Sequence, residues 1–288
     1  MKFQNLKNLT LTLFLTLTLS SFLLAQSKGH LVIIGGVHTT ETSKRFIELA
    51  GKEQARIIII PNAGSNPLRN SLLHKQEFEE LGAKADYILF TKESADADSN
   101  LNKMKWANAV YFLGGDQSDL TKDMLGTKLL DLVYDIYYKG GVVGGSSAGA
   151  AVMSEVMITG NELLNKDSSS AFISIQKGNI ETSKGFGFIK NAIIDQHFLK
   201  RKRHNRLITL MCENPNLLGI AIDEATAIVV NPDDTFEVIG DNQVVVYDPT
   251  ESENIRTDEK GNFGITNMKM HLLINGNKFD MKSKRVIK

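Results

Sequence analysis

The chain has 288 residues, of which 42% are hydrophobic, and its 33 basic side chains balance its 33 acidic ones. This composition fits one large α/β domain or two small ones and argues against overall disorder. A neutral balance of charge gives no reason to expect a nucleic-acid partner. The one cysteine, Cys212, cannot form a disulfide within the chain, and its apolar sequence context indicates core packing.

The N-terminal segment differs in kind from the rest of the chain. Lys2 and Lys7 precede an apolar run over 9–24, which Ala25 closes. This is the pattern of a secretory signal peptide over 1–25, so we expect a secreted or periplasmic protein. An uncleaved signal anchor is the alternative, because the run approaches the length that spans a membrane. The threonines in the run favour cleavage, after which we expect no stable membrane span.

Short apolar runs alternate with helical patterns over the first half of the chain. The runs predict buried strands of a parallel sheet at 30–34, 55–60, 87–90, 109–113 and 141–145. The patterns between them predict helices over 43–50, 70–81 and 127–138, with a surface loop leading to a short helix over 91–102. This alternation predicts a doubly wound α/β fold with a mostly parallel central sheet.

The second half of the chain is less regular. Residues 161–183 are polar and predict an irregular flap. The elements expected after it are a strand at 192–198, a basic helix over 201–212, a strand at 218–222, hairpins from 227, and one more hairpin around 272–277. No repeat or low-complexity linker divides the chain, so we expect one domain.

Three glycine-containing segments follow predicted strands of the parallel sheet, at 35–36, 114–117 and 144–147. Functional groups of such sheets gather at the carboxyl ends of the strands. We therefore expect these segments, which lie far apart in the sequence, to line one crevice.

Residues 140–153 have the pattern of a nucleophile elbow, in which a short strand runs through a glycine-flanked serine into a helix. Ser147 is the candidate nucleophile, and glycine is expected at 145 and 149 because a Cβ would clash there. The free N–H groups of the helix would face a developing oxyanion. A phosphate-binding turn is the alternative, but no lysine follows as in a P-loop, and the Rossmann glycine spacing is absent.

A serine nucleophile needs a base, and the base needs an acid that orients it. His197 is the candidate base because it directly follows an apolar strand. Glu224 follows another strand and is the preferred acid, since a strand end holds a side chain more firmly than a loop does. Glu162, fifteen residues after Ser147, is the alternative acid.

Three arginines follow the candidate base, namely Arg201, Arg203 and Arg206. They could bind substrate carboxylates through two hydrogen bonds each, or form the solvated face of a basic helix. Gln117 could bind a substrate amide or complete the oxyanion hole, or it could be a turn residue. Neither a His-x-x-x-His pattern nor a group of histidines with acids is present in the sequence, so we expect no metal and no cofactor.

Four ordered motifs resemble those of the cyanophycinases and of the related aspartyl dipeptidases of the peptidase E group. The motifs are GGDQ at 114–117, GGSSAGAAVMSEVMI at 144–158, DQHFLKRKRHNRL at 195–207 and GIAIDEATA at 219–227. The resemblance covers about 29–248, which leaves 249–288 as a C-terminal extension that we expect to form a β hairpin and a tail. It implies a class I glutamine-amidotransferase-like, or flavodoxin-like, three-layer α/β sandwich. Cyanophycinases are serine-type exopeptidases that release β-Asp-Arg dipeptides from cyanophycin, a poly-aspartate with arginine on each side-chain carboxyl.

The resemblance also implies residue roles. Ser147 would be the nucleophile, His197 its base, and Glu224 either the acid of the triad or the acidic part of the substrate pocket. The residues that it implies for the dipeptide pocket are Gln117, Asp195, Gln196, Arg201, Arg203 and Arg206. Two departures from the family pattern are Ser146, where threonine is usual, and Val37-His38, where acidic residues or glycine are more typical.

Three functions follow as alternatives. The first is a cyanophycin-degrading serine exopeptidase, and the second is an aspartyl or isoaspartyl dipeptidase acting on short peptides. The third is a non-catalytic periplasmic protein that binds acidic peptides. A peptide or polymer partner is expected in each case, and the family resemblance adds a homodimer.

Overall fold

The computed structural model describes residues 28–164 and 172–288, so the predicted signal peptide and part of the predicted flap lie outside the described residues. The helices of the described ranges are α1 (Thr40–Leu49), α2 (Pro67–Glu80), α3 (Asp98–Trp106), α4 (Gln117–Met124), α5 (Lys128–Tyr138), α6 (Ala148–Ala151) and α7 (His204–Glu213). Single 3-10 turns occur at Lys52–Gln54 and Lys92–Ser94. Within the same ranges, none of the helices combines the length and the apolar character that crossing a membrane requires.

The strands belong to two main sheets and two separate hairpins. They are β1 (His30–Ile34), β2 (Arg56–Ile60), β3 (Lys84–Tyr87), β4 (Ala109–Phe112), β5 (Val142–Ser146), β6 (Val156–Glu162), β7 (Ile180–Lys184), β8 (Ala192–Gln196), β9 (Leu218–Ile222), β10 (Thr226–Val230), β11 (Thr235–Gly240), β12 (Val244–Asp248), β13 (Glu253–Thr257), β14 (Phe263–Thr266), β15 (Lys269–Leu273), β16 (Lys278–Asp280) and β17 (Arg285–Ile287).

The large sheet has nine strands in the order β17-β16-β11-β10-β1-β5-β4-β2-β3. The strands β1, β5, β4, β2 and β3 are parallel neighbours, and the other four extend the sheet with antiparallel pairs. Strands such as β2 are apolar on both faces because helices cover each face of the sheet. The parallel sheet predicted from the apolar runs is thus confirmed.

Helices cover the two faces of the large sheet. On one face, Phe46 of α1 and Phe78 of α2 pack against Tyr111 of β4, with ring centroids 5.3 Å apart in both pairs. On the other face, Met104 of α3 and Val133 of α5 lie in the largest apolar cluster of the described residues. The result is a three-layer arrangement in which the large sheet is the middle layer.

The small sheet, β15-β12-β9-β8, positions the second half of the site. One of its faces joins the largest cluster through Ile194 and Ile220, and its other face packs against Leu207 and Leu210 of α7. Strands β8 and β9 are parallel, so their carboxyl ends lie at the same edge. Polar residues that follow these two strands therefore emerge together.

Several element predictions were wrong in position. The strand expected at 87–90 is β3, which ends at Tyr87. Lys84 and Asp86 are tolerated in it because β3 is an edge strand, where polar side chains reach water. The short helix expected after the surface loop is α3, which extends to Trp106, whereas α4 was not predicted because its sequence is mostly polar. The side chain of Asp116 caps α4 by accepting a hydrogen bond from the N–H of Ser118 at 2.8 Å.

The segment predicted as an irregular flap contains regular structure. Strand β6 pairs antiparallel with β7, so 161–162 and 180–183 belong to a hairpin, whereas the other described residues of the segment, 163–164 and 172–179, are irregular as predicted. The hairpin expected around 272–277 was also wrong. A turn occurs there, but β15 pairs with β12 of the small sheet and β16 pairs with β11 of the large sheet. The tail therefore joins both sheets.

A substitution at Phe279 of β16 can test whether the tail is part of the folded core. Its side chain is 0% exposed, and its ring stacks on that of Phe236 with centroids 5.4 Å apart. We expect Phe279→Ala to lower the free energy of unfolding by about 3–5 kcal/mol, because it leaves a cavity between the rings and their neighbours. Urea unfolding measures the change. Val286→Ala, at a side chain that is 48% exposed, is the control, and equal stability losses in the two variants would contradict the expectation.

Candidate active site

The ends of three strands bring Ser147, His197 and Glu224 together. Ser147 follows β5 of the large sheet, whereas His197 and Glu224 follow β8 and β9 of the small sheet. The Oγ of Ser147 lies 2.8 Å from the Nε2 of His197. The Nδ1 of His197 lies 2.8 Å from the Oε1 of Glu224. A continuous chain of hydrogen bonds thus joins the serine to the carboxylate.

Ser147 has the strained backbone expected at a nucleophile elbow. Its φ of 55° and ψ of −109° lie outside the regions that L-residues favour. Helix α6 follows at once, and the carbonyl of Ser147 accepts hydrogen bonds from the N–H groups of Ala150 and Ala151 at 3.0 Å each. These bonds make a tight turn between the strand and the helix, and the turn places the hydroxyl of Ser147 at the end of the strand.

The two glycines around this serine are required by close packing of the backbone. A Cβ on Gly149 would lie 2.3 Å from the carbonyl oxygen of Phe112, and one on Gly145 would lie 2.8 Å from the carbonyl oxygen of Gly149. Both distances are shorter than any ordinary carbon–oxygen contact. The steric reason for glycine on each side of Ser147 is therefore confirmed.

The segment after β1 forms the wall behind His197. The N–H of His197 donates to the carbonyl of Gly35, which ties the end of β8 to the end of β1. A Cβ on Gly36 would lie 2.5 Å from the Nδ1 of His197 and 2.8 Å from the Cγ of Glu224. Glycine at 36 is needed because the base and the acid occupy the space of its side chain.

The surroundings of His197 favour its neutral form. Burial lowers the pKa of the imidazole most, and the nearby charges of Arg201 and Arg203 lower it further, whereas Glu224 acts in the opposite direction. Because a carboxylate oxygen only accepts hydrogen bonds, Nδ1 carries the proton that points at Glu224. The Nε2 of His197 is then free to accept the hydroxyl proton of Ser147.

Of the two acids considered from the sequence, the structure brings only Glu224 to His197. Glu162 ends β6 and faces the hairpin instead, where its carboxylate accepts from the side chain of Asn179 at 2.8 Å and from the N–H of Phe172 at 3.3 Å. Both of its oxygens are thus engaged at a different place.

Asp195 and Arg206 form a buried ion pair. Their side chains are 0% and 2% exposed, and the Nε of Arg206 donates to the Oδ2 of Asp195 at 2.7 Å, while its Nη2 bonds to the Oδ1. The guanidinium also lies over the ring of Phe172, at 4.9 Å from the centroid. Both side chains are thus engaged with each other in the interior, and their predicted part in the substrate pocket stays a prediction. These two residues join α7 to β8 and can shape a pocket only through the elements that they hold.

The other two arginines differ from Arg206 and from each other. Arg203 is partly buried, and its Nη1 donates to the backbone carbonyl of Gln196 at 2.7 Å and to its side-chain Oε1 at 2.8 Å. Burial, together with Arg206 and Arg201, lowers the pKa of this guanidinium to about 10 against the attraction of Asp195, so it stays charged at neutral pH. Arg201 has an exposed side chain, and its N–H donates to the carbonyl of His197 at 3.0 Å. Arg201 thus has an exposed guanidinium, whose charge acts on the imidazole of His197.

Gln117 serves the backbone of the hairpin. Its side-chain amide donates to the carbonyl of Ile158 at 2.8 Å and also to that of Thr159, which ties the start of α4 to β6. It is therefore more than a turn residue, and its amide nitrogen is already engaged. Its predicted role in binding substrate stays a prediction for the side-chain oxygen.

Asp223 is a positioning residue that sequence reasoning passed over. Its buried Oδ1 accepts a hydrogen bond from the N–H of Lys200 at 3.0 Å, which holds the basic turn after His197 against the end of β9. Asp223 directly follows β9, and this position alone could have predicted a role for it at the site. That conclusion was drawn from the sequence only for the neighbouring Glu224.

Comparison with known proteins identifies the family. A sequence profile of peptidase family S51 matches residues 23–239. The chain belongs to peptidase family S51. It is similar to the cyanophycinases of Nostoc sp. and Trichormus variabilis, each 32% identical over 272 residues that cover 91% of this chain and 88% of the relative.

Among solved structures, this chain resembles a peptidase from an acI-B1 Actinobacterium. The TM-score is 0.67 at 24% identity, over 89% of this chain and 98% of that one. This likeness confirms the predicted fold class, a flavodoxin-like three-layer sandwich. Membership of family S51 confirms the resemblance drawn from the four motifs and makes the protein a serine peptidase.

Removing Arg206 tests the buried pair. We expect Arg206→Met to lower the free energy of unfolding by about 3–5 kcal/mol, because Asp195 then remains charged and buried without its partner. Chemical denaturation measures the loss. Arg201→Met removes the same charge from an exposed position and should change stability little. A loss in Arg206→Met no greater than in that control would contradict a structural role for the pair.

A second substitution tests the electrostatics of His197. We expect Arg201→Gln to raise the pKa of His197, because a positive charge that opposes the imidazolium is lost. The protonated form then persists to higher pH than in the unaltered protein. An NMR titration of the imidazole, assigned with His197→Gln, measures the shift. Lys202→Gln removes an exposed cation of the same turn and is the control. A fall in the pKa of His197 in Arg201→Gln would contradict the conclusion that the charge of Arg201 lowers this pKa.

Proposed function

We propose that the protein is an exported serine exopeptidase that hydrolyses cyanophycin to β-Asp-Arg dipeptides through an acyl-enzyme on Ser147. The observation that carries the proposal is the hydrogen-bonded chain from Ser147 through His197 to Glu224. The similarity to cyanophycinases over 91% of the chain supports the choice of polymer.

The chemistry follows from the two hydrogen bonds. The Oγ of Ser147 attacks the amide carbonyl while the Nε2 of His197 takes the hydroxyl proton, and Glu224 stabilises the imidazolium that forms. His197 then gives this proton to the leaving amine as the carbon–nitrogen bond breaks. Water then attacks the ester while His197 takes its proton, and as the ester bond breaks His197 returns this proton to the Oγ of Ser147, which releases the acid product.

The developing oxyanion needs donors at the elbow. Ala148 is the first residue of α6, so its N–H has no acceptor within the helix, and it directly follows the nucleophile. We assign it the first donor role. The backbone at Gly114 also approaches the serine, since a Cβ there would lie 3.2 Å from the Cβ of Ser147. The amides of 114–115 are therefore assigned the second.

The charges around the base suit the proposed substrate. A β-Asp-Arg end carries carboxylates, and Arg201 offers an exposed guanidinium beside His197. Arg203, fixed by Gln196, adds a second positive charge to the same side.

Cleavage of a polymer outside the cell would precede uptake of its dipeptides, which agrees with a cleaved signal over 1–25. The proposal includes a homodimer, which analytical ultracentrifugation would test.

Ser147→Ala tests the central claim. We expect release of dipeptide from insoluble cyanophycin to fall by at least about a thousandfold, because neither the base nor the oxyanion donors can replace the nucleophile. Clearing of the suspension and chromatography of the products measure it, and circular dichroism checks folding. Ser99→Ala, at an exposed serine of α3, is the control. Undiminished release by folded Ser147→Ala would refute the acyl-enzyme mechanism.

Substrate choice separates this proposal from a dipeptidase. The rates on cyanophycin, on β-Asp-Arg and on aspartyl dipeptides are compared with one enzyme preparation. Faster turnover of the polymer supports the proposal, whereas activity on dipeptides alone replaces it with a dipeptidase. A fluorophosphonate probe that labels the protein, but not Ser147→Ala, would exclude a protein that only binds peptides.

A further inference from the structure

A group of two histidines and one carboxylate lies away from the catalytic chain. His38 belongs to the segment between β1 and α1, and His74 and Glu77 lie one turn apart on α2. One potential ligand atom from each of the three lies within 4.8 Å of the others. This group is not apparent from the sequence, because His38 is distant along the chain from the other two.

The surroundings of His74 and Glu77 resemble the outer shell of a metal site. The Nδ1 of His74 lies 2.9 Å from the carbonyl oxygen of Asn70, so Nδ1 carries the proton and the lone pair of Nε2 is available. The Oε1 of Glu77 accepts a hydrogen bond from the hydroxyl of Ser43 at 2.6 Å. Ligating histidines and carboxylates are usually oriented by such second hydrogen bonds.

His38 completes the arrangement from the other side. Its Nε2 lies 2.8 Å from the Oε2 of Glu77, the oxygen that Ser43 leaves free. The ring centroids of His38 and His74 are 5.0 Å apart. The side chains of His38 and Glu77 are 26% and 29% exposed, so an ion could enter from solvent and keep water as a further ligand. If His38 and Glu77 formed only an ion pair, the second histidine, His74, would have no part in the arrangement.

We propose that His38, His74 and Glu77 bind one divalent transition-metal ion of the zinc class. Two imidazoles and one carboxylate suit Zn²⁺, whereas Ca²⁺ and Mg²⁺ prefer oxygen ligands alone. The ion replaces the hydrogen bond between His38 and Glu77 and takes Nε2 of each histidine with Oε2 of Glu77. This site goes beyond the proposed peptidase reaction and does not depend on it.

The position of the site indicates a structural role. The ion would fasten the segment after β1 to α2. Gly36 of that segment contacts His197, and the carbonyl of Val37 accepts a hydrogen bond from the N–H of Ala225, the residue after Glu224, at 2.8 Å. Metal binding therefore stabilises the wall against which the base and the acid are packed.

Calorimetric titration with ZnCl₂ tests the proposal, on full protein that carries no polyhistidine tag and has been treated with a chelator and dialysed. We expect one Zn²⁺ per chain and a rise of several degrees in the melting temperature when the ion is in excess. Co²⁺ in place of Zn²⁺ should give visible absorption bands. His38→Gln and Glu77→Gln should each weaken Zn²⁺ binding by at least about tenfold.

Matched variants give the controls. Glu80→Gln removes an exposed carboxylate at the end of α2, and His271→Gln removes a histidine of β15, and both should bind Zn²⁺ as the unaltered protein does. Ser147→Ala should also bind normally, which separates this site from the peptidase reaction. Absence of Zn²⁺ binding, or binding that His38→Gln and Glu77→Gln leave unchanged, would overturn the proposal. Because His38 lies outside the helices, its variant carries the test if changes in α2 impair folding.

Discussion

The candidate site depends on how closely two sheets approach each other at Gly35 and Gly36. Ser147 belongs to the large sheet and His197 to the small one, so the 2.8 Å hydrogen bond between them depends on the spacing of the sheets. The N–H of His197 sets this spacing by donating to the carbonyl of Gly35. The missing side chain of Gly36 leaves room for the imidazole and for the Glu224 carboxylate. A side chain at 36 would therefore collide with the base and with the acid.

Charge around the base is divided between buried and exposed groups. Asp195 and Arg206 neutralise each other in the interior. A buried ion pair of this kind holds its two side chains in place but adds little net stability, because removing both charges from water is costly. Burial lowers the pKa of His197 most, and the charges of Arg201 and Arg203 on the same side lower it further. Two charges that belong to one turn of the chain thus favour the neutral form of the base.

Much of the architecture could be predicted because its signals are local. Continuous apolar runs identified β1, β2, β4 and β5 of the parallel sheet, and the spacing of the glycines around Ser147 identified the elbow. Properties that depend on packing could not be predicted in this way. Arg201 and Arg206 lie in one basic segment, and only the way α7 packs on the small sheet exposes the first and buries the second. Strands β15 and β16 likewise look like a hairpin until each finds its partner in a different sheet.

The segment after β1 departs from the family pattern at Val37-His38, and the structure gives that departure a physical meaning. The Nε2 of His38 faces Glu77 on α2, so this side chain attaches the segment to a helix instead of extending toward Ser147. The backbone of Val37 meanwhile holds the turn that carries Glu224. An acidic residue at 38 would meet the Glu77 carboxylate and repel it, whereas glycine would offer no attachment at all. The histidine therefore anchors the wall of the site to α2 through a side-chain contact that neither of those residues could make with Glu77.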